Sequence, residues 1–355
     1  MPASTHLTSL LRKSSAFTND FGTITGVDAA DLPLLKRLSL RRLLLAPRGV
    51  REPHWHANAH ELGYCLRGQH LVTIAGSHSA RNSFTIAPGQ MFFVPSGALH
   101  HIENTGEEEG EIILAFSSEH VEDFGLSGTF GAFTDAVLGN TTGLPAAAFA
   151  SLKRSTQDTW IGSRAQPAKI EEQERHINPY KYDLEAAQPP VASVGGSAHT
   201  AQVQSWPILQ DISMFSLRIT DKGMREVHWH PETAEMGYVT GGRGRMTILS
   251  PGGAVDTPGG SIDTYEMKPG DMYFIPRAYP HHIENIADAD LSILIFFDQN
   301  TPADIGGKSL VSAFSPEVLA ATFKTDAASI PRFTFTAQDP LIVPRVNPVD
   351  PSLKS

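Results

Sequence analysis

The stretch Gly49-Val50-Arg51-Glu52-Pro53-His54-Trp55-His56 returns with two changes as Gly223-Met224-Arg225-Glu226-Val227-His228-Trp229-His230. Each copy continues with the same chemistry: Glu61, Gly68, Gly89, Pro95, Gly97, His100 and Asn104 in the first, and Glu235, Gly242, Gly270, Pro276, Ala278, His281 and Asn285 in the second. The pairs His54/His228, His56/His230 and Glu61/Glu235 are each 174 positions apart, whereas His100 and His281 are 181 apart. A duplicated domain accounts for the constant offset, with seven extra residues in the second copy. The simplest place for them is the loop around Thr257-Pro258-Gly259-Gly260-Ser261.

At 355 residues there is room for two domains, each able to bury its own core. The net charge of −10, with no long Lys/Arg run, argues against nucleic acid and anionic membrane as partners. A small anionic substrate is compatible with it, because one buried arginine decides that locally. The single cysteine, Cys65, excludes an intramolecular disulfide and fits a reducing compartment. Met1 to Asp20 holds no apolar run long enough for a secretory signal, and no segment reaches the ~18 apolar residues of a membrane span. The expected location is the cytoplasm.

The expected organisation is an N-terminal arm over residues 1–35, a first domain over 36–187 with trailing helices, and a second over 188–355 with a helical and extended tail. The first domain should place strands at 43–45, 70–74, 84–87, 91–94 and 111–116, and the second at 213–219, 236–239, 245–249, 262–267, 272–275 and 291–296. Ser117 to Gly131 reads as a polar connection. Helices are expected over Phe133–Leu138 and Pro145–Lys153, and again over Ser309–Phe323. From Ala337 onward, four prolines suggest a tail extended over the surface.

Alternate side chains of a strand share a face, so His54 and His56 point together while Trp55 points away, and His228, Trp229 and His230 do the same. Glu61 and His100, like Glu235 and His281, arrive on other strands. Three imidazoles and a carboxylate without thiolate suit Mn(II), Fe, Co, Ni, Cu or Zn, one ion per domain. By the same parity His101 and His282 face away, and Cys65 fills core. Arg51 and Arg225 precede the first histidine by three positions, which puts them on the wrong face unless the strand bulges.

These motifs resemble those of the cupins, specifically the two-domain cupins that include oxalate decarboxylases and oxalate oxidases. The leading glycine is one residue closer than the family pattern, and Ala278 stands where the second motif has glycine. The resemblance implies an all-β fold of two tandem cupin barrels (double-stranded β-helix, or jelly-roll) with short flanking helices, and a trimeric or hexameric homo-oligomer. It implies manganese as the metal, dioxygen as cosubstrate or cofactor, and oxalate or a similar small carboxylate cleaved to formate and carbon dioxide or oxidised. Arg51 and Arg225 would hold the carboxylate.

The decarboxylases carry a lid glutamate in a stretch matched here by Gly125 to Thr129, and a second glutamate matched by Ile295, with Leu114 in the first copy. Glu122, with Glu119 and Asp123 beside it, is the candidate substitute proton donor, and Gly125 and Gly128 are candidate hinges. The first domain is the expected site of chemistry. Other cupin dioxygenases and a non-catalytic metal- or metabolite-binding protein are the alternative readings.

Overall fold

Runs of β-branched and aromatic residues punctuated by glycine and proline favour many short strands, and the computed structural model of the chain is built mainly from them. It describes residues 6–77, 80–251, 260–335 and 340–349. Two compact units emerge, one comprising Arg12–Ala186 with Trp206–Ile212, the other Met1–Leu11, Ala187–Ser205 and Ser213–Ser355.

Each unit consists of two antiparallel sheets. In the first, a seven-stranded sheet orders Lys181–Asp183, Gln90–Val94, Glu61–Arg67, Gly110–Phe116, Ser39–Leu45, Gly22–Val27 and Phe17–Asn19 side by side. Its six-stranded companion runs Asp123–Gly125, Gly49–His56, Leu99–Asn104, His70–Ala75 and Arg81–Ile86, with Ile161–Ser163 also on Gly49–His56. The other unit repeats both sheets strand for strand. Its hairpin Gly244–Leu249 to Ile262–Met267 contains the seven-residue surplus, since the matching strands are His70–Ala75 and Arg81–Ile86. Thr257, Pro258 and Gly259 themselves lie outside the described residues.

Apolar side chains from both sheets meet inside each barrel: Leu43, Val72, Phe84, Phe92, Ile102 and Phe116 among others in the first, and Leu217, Val239, Met246, Tyr273, Ile283 and Phe297 in the second. Cys65 belongs to this core, and burial pushes its thiol up to about 12.

Several expectations are corrected. The described residues of 1–35 contain three strands; Leu7–Ser9 pairs with Asp271–Ile275, the place that Lys181–Asp183 takes on Gln90–Val94 in the first barrel. Ser117 to Gly131 contains the strand Asp123–Gly125 and the helix Leu126–Ala132. The next helix is Asp135–Thr142, started by the Thr134 hydroxyl accepting from Val137 N–H and ended by left-handed Gly143; Pro145–Lys153 yields only a 3-10 turn at Ala146–Phe149. Pro316 splits Ser309–Phe323, because its ring fits a first helical turn but not an interior. Beyond Ala337, which lies outside the described residues, Ile342–Pro344 joins a sheet on Gly223–Trp229.

Gly63 faces Phe92 across the strand pair, and a Cβ there would lie 2.1 Å from the Phe92 ring; Gly237 stands in the same relation to Tyr273. The aromatic ring lies over the glycine, two residues from the glutamate of each centre. Gly63→Ala should therefore destabilise the protein by about 1–3 kcal/mol through overpacking, seen as a lower denaturant midpoint in equilibrium unfolding. An unchanged midpoint would show that the ring moves freely aside.

Candidate metal centres

His54, His56, Glu61 and His100 come together with ligand atoms within 4.8 Å of one another, as do His228, His230, Glu235 and His281, and all eight are buried. Strand geometry positions them. His54 and His56 lie on one inward-facing edge of Gly49–His56, Glu61 opens the opposing sheet's central strand, and His100 pairs directly with His54.

Backbone carbonyls select the tautomers. His54 Nδ1 donates to Glu52 O at 2.7 Å and His100 Nδ1 to Ala98 O at 3.0 Å. In the other barrel His228 donates to Glu226 O at 2.7 Å, His230 to Ala303 O at 2.8 Å and His281 to Tyr279 O at 2.9 Å. A carbonyl only accepts, so the proton sits on Nδ1 and the Nε2 lone pair is turned inward. Burial and the nearby guanidinium of Arg51 or Arg225 hold His54 and His228 well below the ordinary histidine range, so both are neutral. Burial alone would raise the Glu61 and Glu235 carboxyls, but the surrounding imidazoles hold both well below the usual range, so they are ionised.

A cation fits this donor set. His228 Nε2, His281 Nε2 and Glu61 Oε1 are buried without a hydrogen-bond partner. His281 Nε2 lies 3.3 Å from a Glu235 carboxylate oxygen, and a lone pair turned on a carboxylate repels it unless a positive ion lies between them. Nitrogen and oxygen donors of this kind suit a divalent first-row metal.

The arginines reach the same face through a bulge. His100 pairs with His54, but two residues later Ile102 pairs with Arg51, so one extra residue is accommodated on Gly49–His56. The second barrel repeats it, with His281 on His228 and Ile283 on Arg225. Arg51 and Glu52 are consequently both buried. Arg51 Nη1 donates to Trp160 O at 3.2 Å and its guanidinium lies 4.8 Å over the Trp160 ring; Arg225 Nη1 donates to Leu341 O at 3.0 Å. Trp160 (φ 62°) and Leu341 (φ 55°) occupy the same place in the two copies, both in the left-handed region that bulky side chains avoid. Strain repeated at both centres marks these carbonyls as arginine holders.

Glu52 does not pair with Arg51. Its carboxylate accepts from Trp160 N–H at 2.6 Å and Ser127 N–H at 3.0 Å, pinning the helix Leu126–Ala132. At Gly125 and Gly128 a Cβ would lie within 2.4 Å of the Asp158 side chain. Close approach is their reason. Glu122 is exposed, with its backbone tied to Asn58 and Ala57. Its neighbour Asp123 points inward, 2.9 Å from His56 Nδ1, while Leu114 and Ile295 are buried in the barrels. His101 turns outward to Glu103 at 2.8 Å, and His282 to Glu284 at 3.5 Å. His60 accepts from Ser96 N–H and stacks on Phe93.

The centres differ at two partners. Tyr273 OH donates to Glu235 Oε1 at 2.7 Å, whereas Phe92 stands at that register position in the first barrel and leaves Glu61 Oε1 without a partner. His56 faces a carboxylate where His230 faces a carbonyl. The sequence signal was available in the 174- and 181-residue offsets, but nothing in it marks which substitutions touch a ligand.

A profile of the Cupin family matches residues 8–147 and 182–330. The chain belongs to the cupin family. It is a two-domain cupin, and its fold is the tandem-barrel one expected. Similar proteins include oxalate decarboxylase OxdC of Bacillus subtilis (strain 168), 28% identical over 79% of this chain and 72% of the relative. A probable oxalate decarboxylase of Arthroderma benhamiae is 26% identical over 82% of this chain and 72% of the relative. Oxalate oxidase GF-2.8 of Triticum aestivum is 31% identical over 31% of this chain and 52% of its own. Among solved structures, oxalate decarboxylase from Bacillus subtilis at pH 4.6 superposes with a TM-score of 0.83 at 22% identity, covering 97% of this chain and 89% of that one. No helix among the described residues of this cupin is long and apolar enough to cross a membrane.

Two outcomes are expected. Tyr273→Phe should weaken metal binding at the second centre by roughly 10–100-fold, the usual effect of losing a partner that orients a ligand; competitive chelator titration checks it. Burial lowers His56, but Asp123 and Glu61 outweigh it and raise its pKa. A metal must displace that proton, so the apparent metal affinity of the first centre should begin to fall at a higher pH on acidification than it would with an unshifted histidine. Metal content after dialysis across pH 5–8 measures this.

Proposed function

We propose that this cupin is a manganese-dependent enzyme that cleaves the carbon–carbon bond of oxalate, with the first-domain centre as its reaction site. The observation that carries the reading is the buried guanidinium of Arg51, turned by the bulge to the ligand face beside three histidines and a glutamate. The relatives named oxalate decarboxylase and oxalate oxidase supply the substrate class.

His54, His56, Glu61 and His100 would hold the metal, which when bound supplies Lewis acidity and one-electron chemistry towards oxalate and dioxygen. Arg51 offers a planar fork to one carboxylate and offsets its charge in a site closed to water. Glu61 Oε1, buried without a hydrogen-bond partner, would be available to the ion. Glu52 and Trp160 keep the arginine from turning away.

The product depends on a proton. Formate and one carbon dioxide require a proton delivered to carbon, whereas oxidation by dioxygen gives two carbon dioxide and hydrogen peroxide with two protons going to oxygen. Asp123 is the acid beside the ligands, and although burial raises its carboxyl, His56 and Arg41 hold it well below the usual range, hence ionised. Glu122 is exposed. A carboxylic acid able to protonate carbon is thus lacking among the residues gathered here, and this favours oxidation over formate release.

The reading includes a cytoplasmic location, which the single buried cysteine supports. It also includes a homo-oligomer, trimer or hexamer, supported by exposed Phe133, Val137, Phe314, Val318 and Phe323 on and beside the helices.

With manganese-loaded protein and oxalate in air, peroxide and carbon dioxide are expected without formate. Arg51→Ala should lower kcat/KM by roughly 100-fold, within the range for removing one member of a buried charged contact, and Glu122→Gln should leave the products unchanged. Formate as the main product would reverse the oxidation assignment, and formate lost in Glu122→Gln would make Glu122 the donor. No turnover with metal at both centres would sink the oxalate reading.

A further inference from the structure

Arg41 and Phe215 occupy equivalent positions, 174 residues apart, and pair across the sheet with Leu114 and Ile295. In the second barrel the Phe215 ring packs edge-on against Phe297 at 4.9 Å. With Leu217, Ile295 and Leu341 it closes a cavity of about 10 Å³ beside Arg225, His230 and Glu235. That is room for about one water or ion. In the first barrel the Arg41 guanidinium lies at the same 4.9 Å over Phe116. It donates two bonds to Asp123, at 2.9 and 2.6 Å. Asp123 in turn lies 2.9 Å from His56 Nδ1 and 3.7 Å from Arg51.

Arg41 has a second outlook. It is also a wall of a polar cavity of about 400 Å³ that is lined in addition by Lys13, Ser14, Ser15, His120 and Val121. One side chain thus joins this cavity to the neighbourhood of a metal-centre histidine, at the position where the other barrel is plugged by phenylalanine.

We propose that Arg41 is a substrate-positioning residue of the first centre, and that the 400 Å³ cavity is the route by which a small carboxylate reaches it. This deepens the oxalate reading and rests on it. The arriving carboxylate takes the place of Asp123 on the Arg41 fork, while Asp123 keeps His56 and Arg51. Exchanging one carboxylate for another on a guanidinium leaves no buried charge unpaired, so the step avoids the large penalty of breaking an ion pair outright. A dicarboxylate of two carbons can then pass from Arg41 to Arg51, since both guanidiniums face Asp123 and Arg51 lies on the ligand side.

The test uses full-length, manganese-loaded protein. Arg41→Phe copies the side chain that the second barrel accommodates, and Phe116 is in place to receive it as Phe297 does. Expected are an unchanged metal content, a KM for oxalate raised at least 10-fold with a smaller change in kcat, and a matching loss of the oxalate-induced change in the manganese EPR spectrum without oxygen. Arg41→Lys, which keeps the charge but not the fork, should recover part of the affinity. Ser15→Trp, on the cavity wall, should slow the onset of the EPR change without altering its end point.

Equal oxalate affinity in wild type and Arg41→Phe would overturn the positioning role, and an unaltered onset in Ser15→Trp would overturn the route. If wild type binds no oxalate, the oxalate reading fails by itself; formate then becomes the probe, and Arg41→Phe must still weaken its binding. Formate binding that is absent, or unaffected by the substitution, overturns the inference.

Discussion

A carboxylate stripped of water among three imidazoles cannot be stable alone, and that constraint shapes both barrels. Glu61 and Glu235 are almost inaccessible, and burying an ionised carboxylate without compensation costs several kcal/mol. Each surrounding histidine is turned by a carbonyl or a carboxylate so that Nε2 faces the glutamate. The protein is therefore arranged for a cation that balances the charge. Metal binding and the stability of these barrels should be coupled for the same reason.

The arginines depend on the same economy of space. A regular strand would turn Arg51 and Arg225 to the outside, and a single extra residue against the partner strand turns them in. The left-handed residues Trp160 and Leu341, each arriving from a distant strand-like segment, supply the carbonyls that hold them. Backbone strain at those two positions is the counterpart of holding a positive group beside a candidate cation site.

Much of this was legible in the sequence because duplication makes a comparison internal. The 174- and 181-residue offsets picked out eight candidate ligand positions, which are gathered in two buried clusters, and placed the surplus in one hairpin. Alternation located the central strands to within a few residues. It could not reveal the bulge, since an extra residue on one strand leaves no periodic mark. Leu7–Ser9 was missed because three residues carry no period and their partner is more than 260 positions away. Pro316 and Ser315 did announce a helix start, but the apolar pattern on either side hid it. Arg41 could have been flagged against Phe215 by offset alone; what it does became visible only when Asp123 was seen between it and His56.

Two copies with one fold have thus diverged in what surrounds an otherwise common ligand set: Phe92 against Tyr273, Arg41 against Phe215, a carboxylate against a carbonyl behind the second histidine. Arg41 links the surroundings of the first centre to a polar cavity, whereas Phe215 takes that position in the second. Anomalous diffraction from manganese-loaded crystals soaked anaerobically with oxalate tests this most directly. Manganese is expected in both barrels and oxalate beside the first ion only, between it and Arg51. Oxalate on the second ion, or metal in only one barrel, would contradict it.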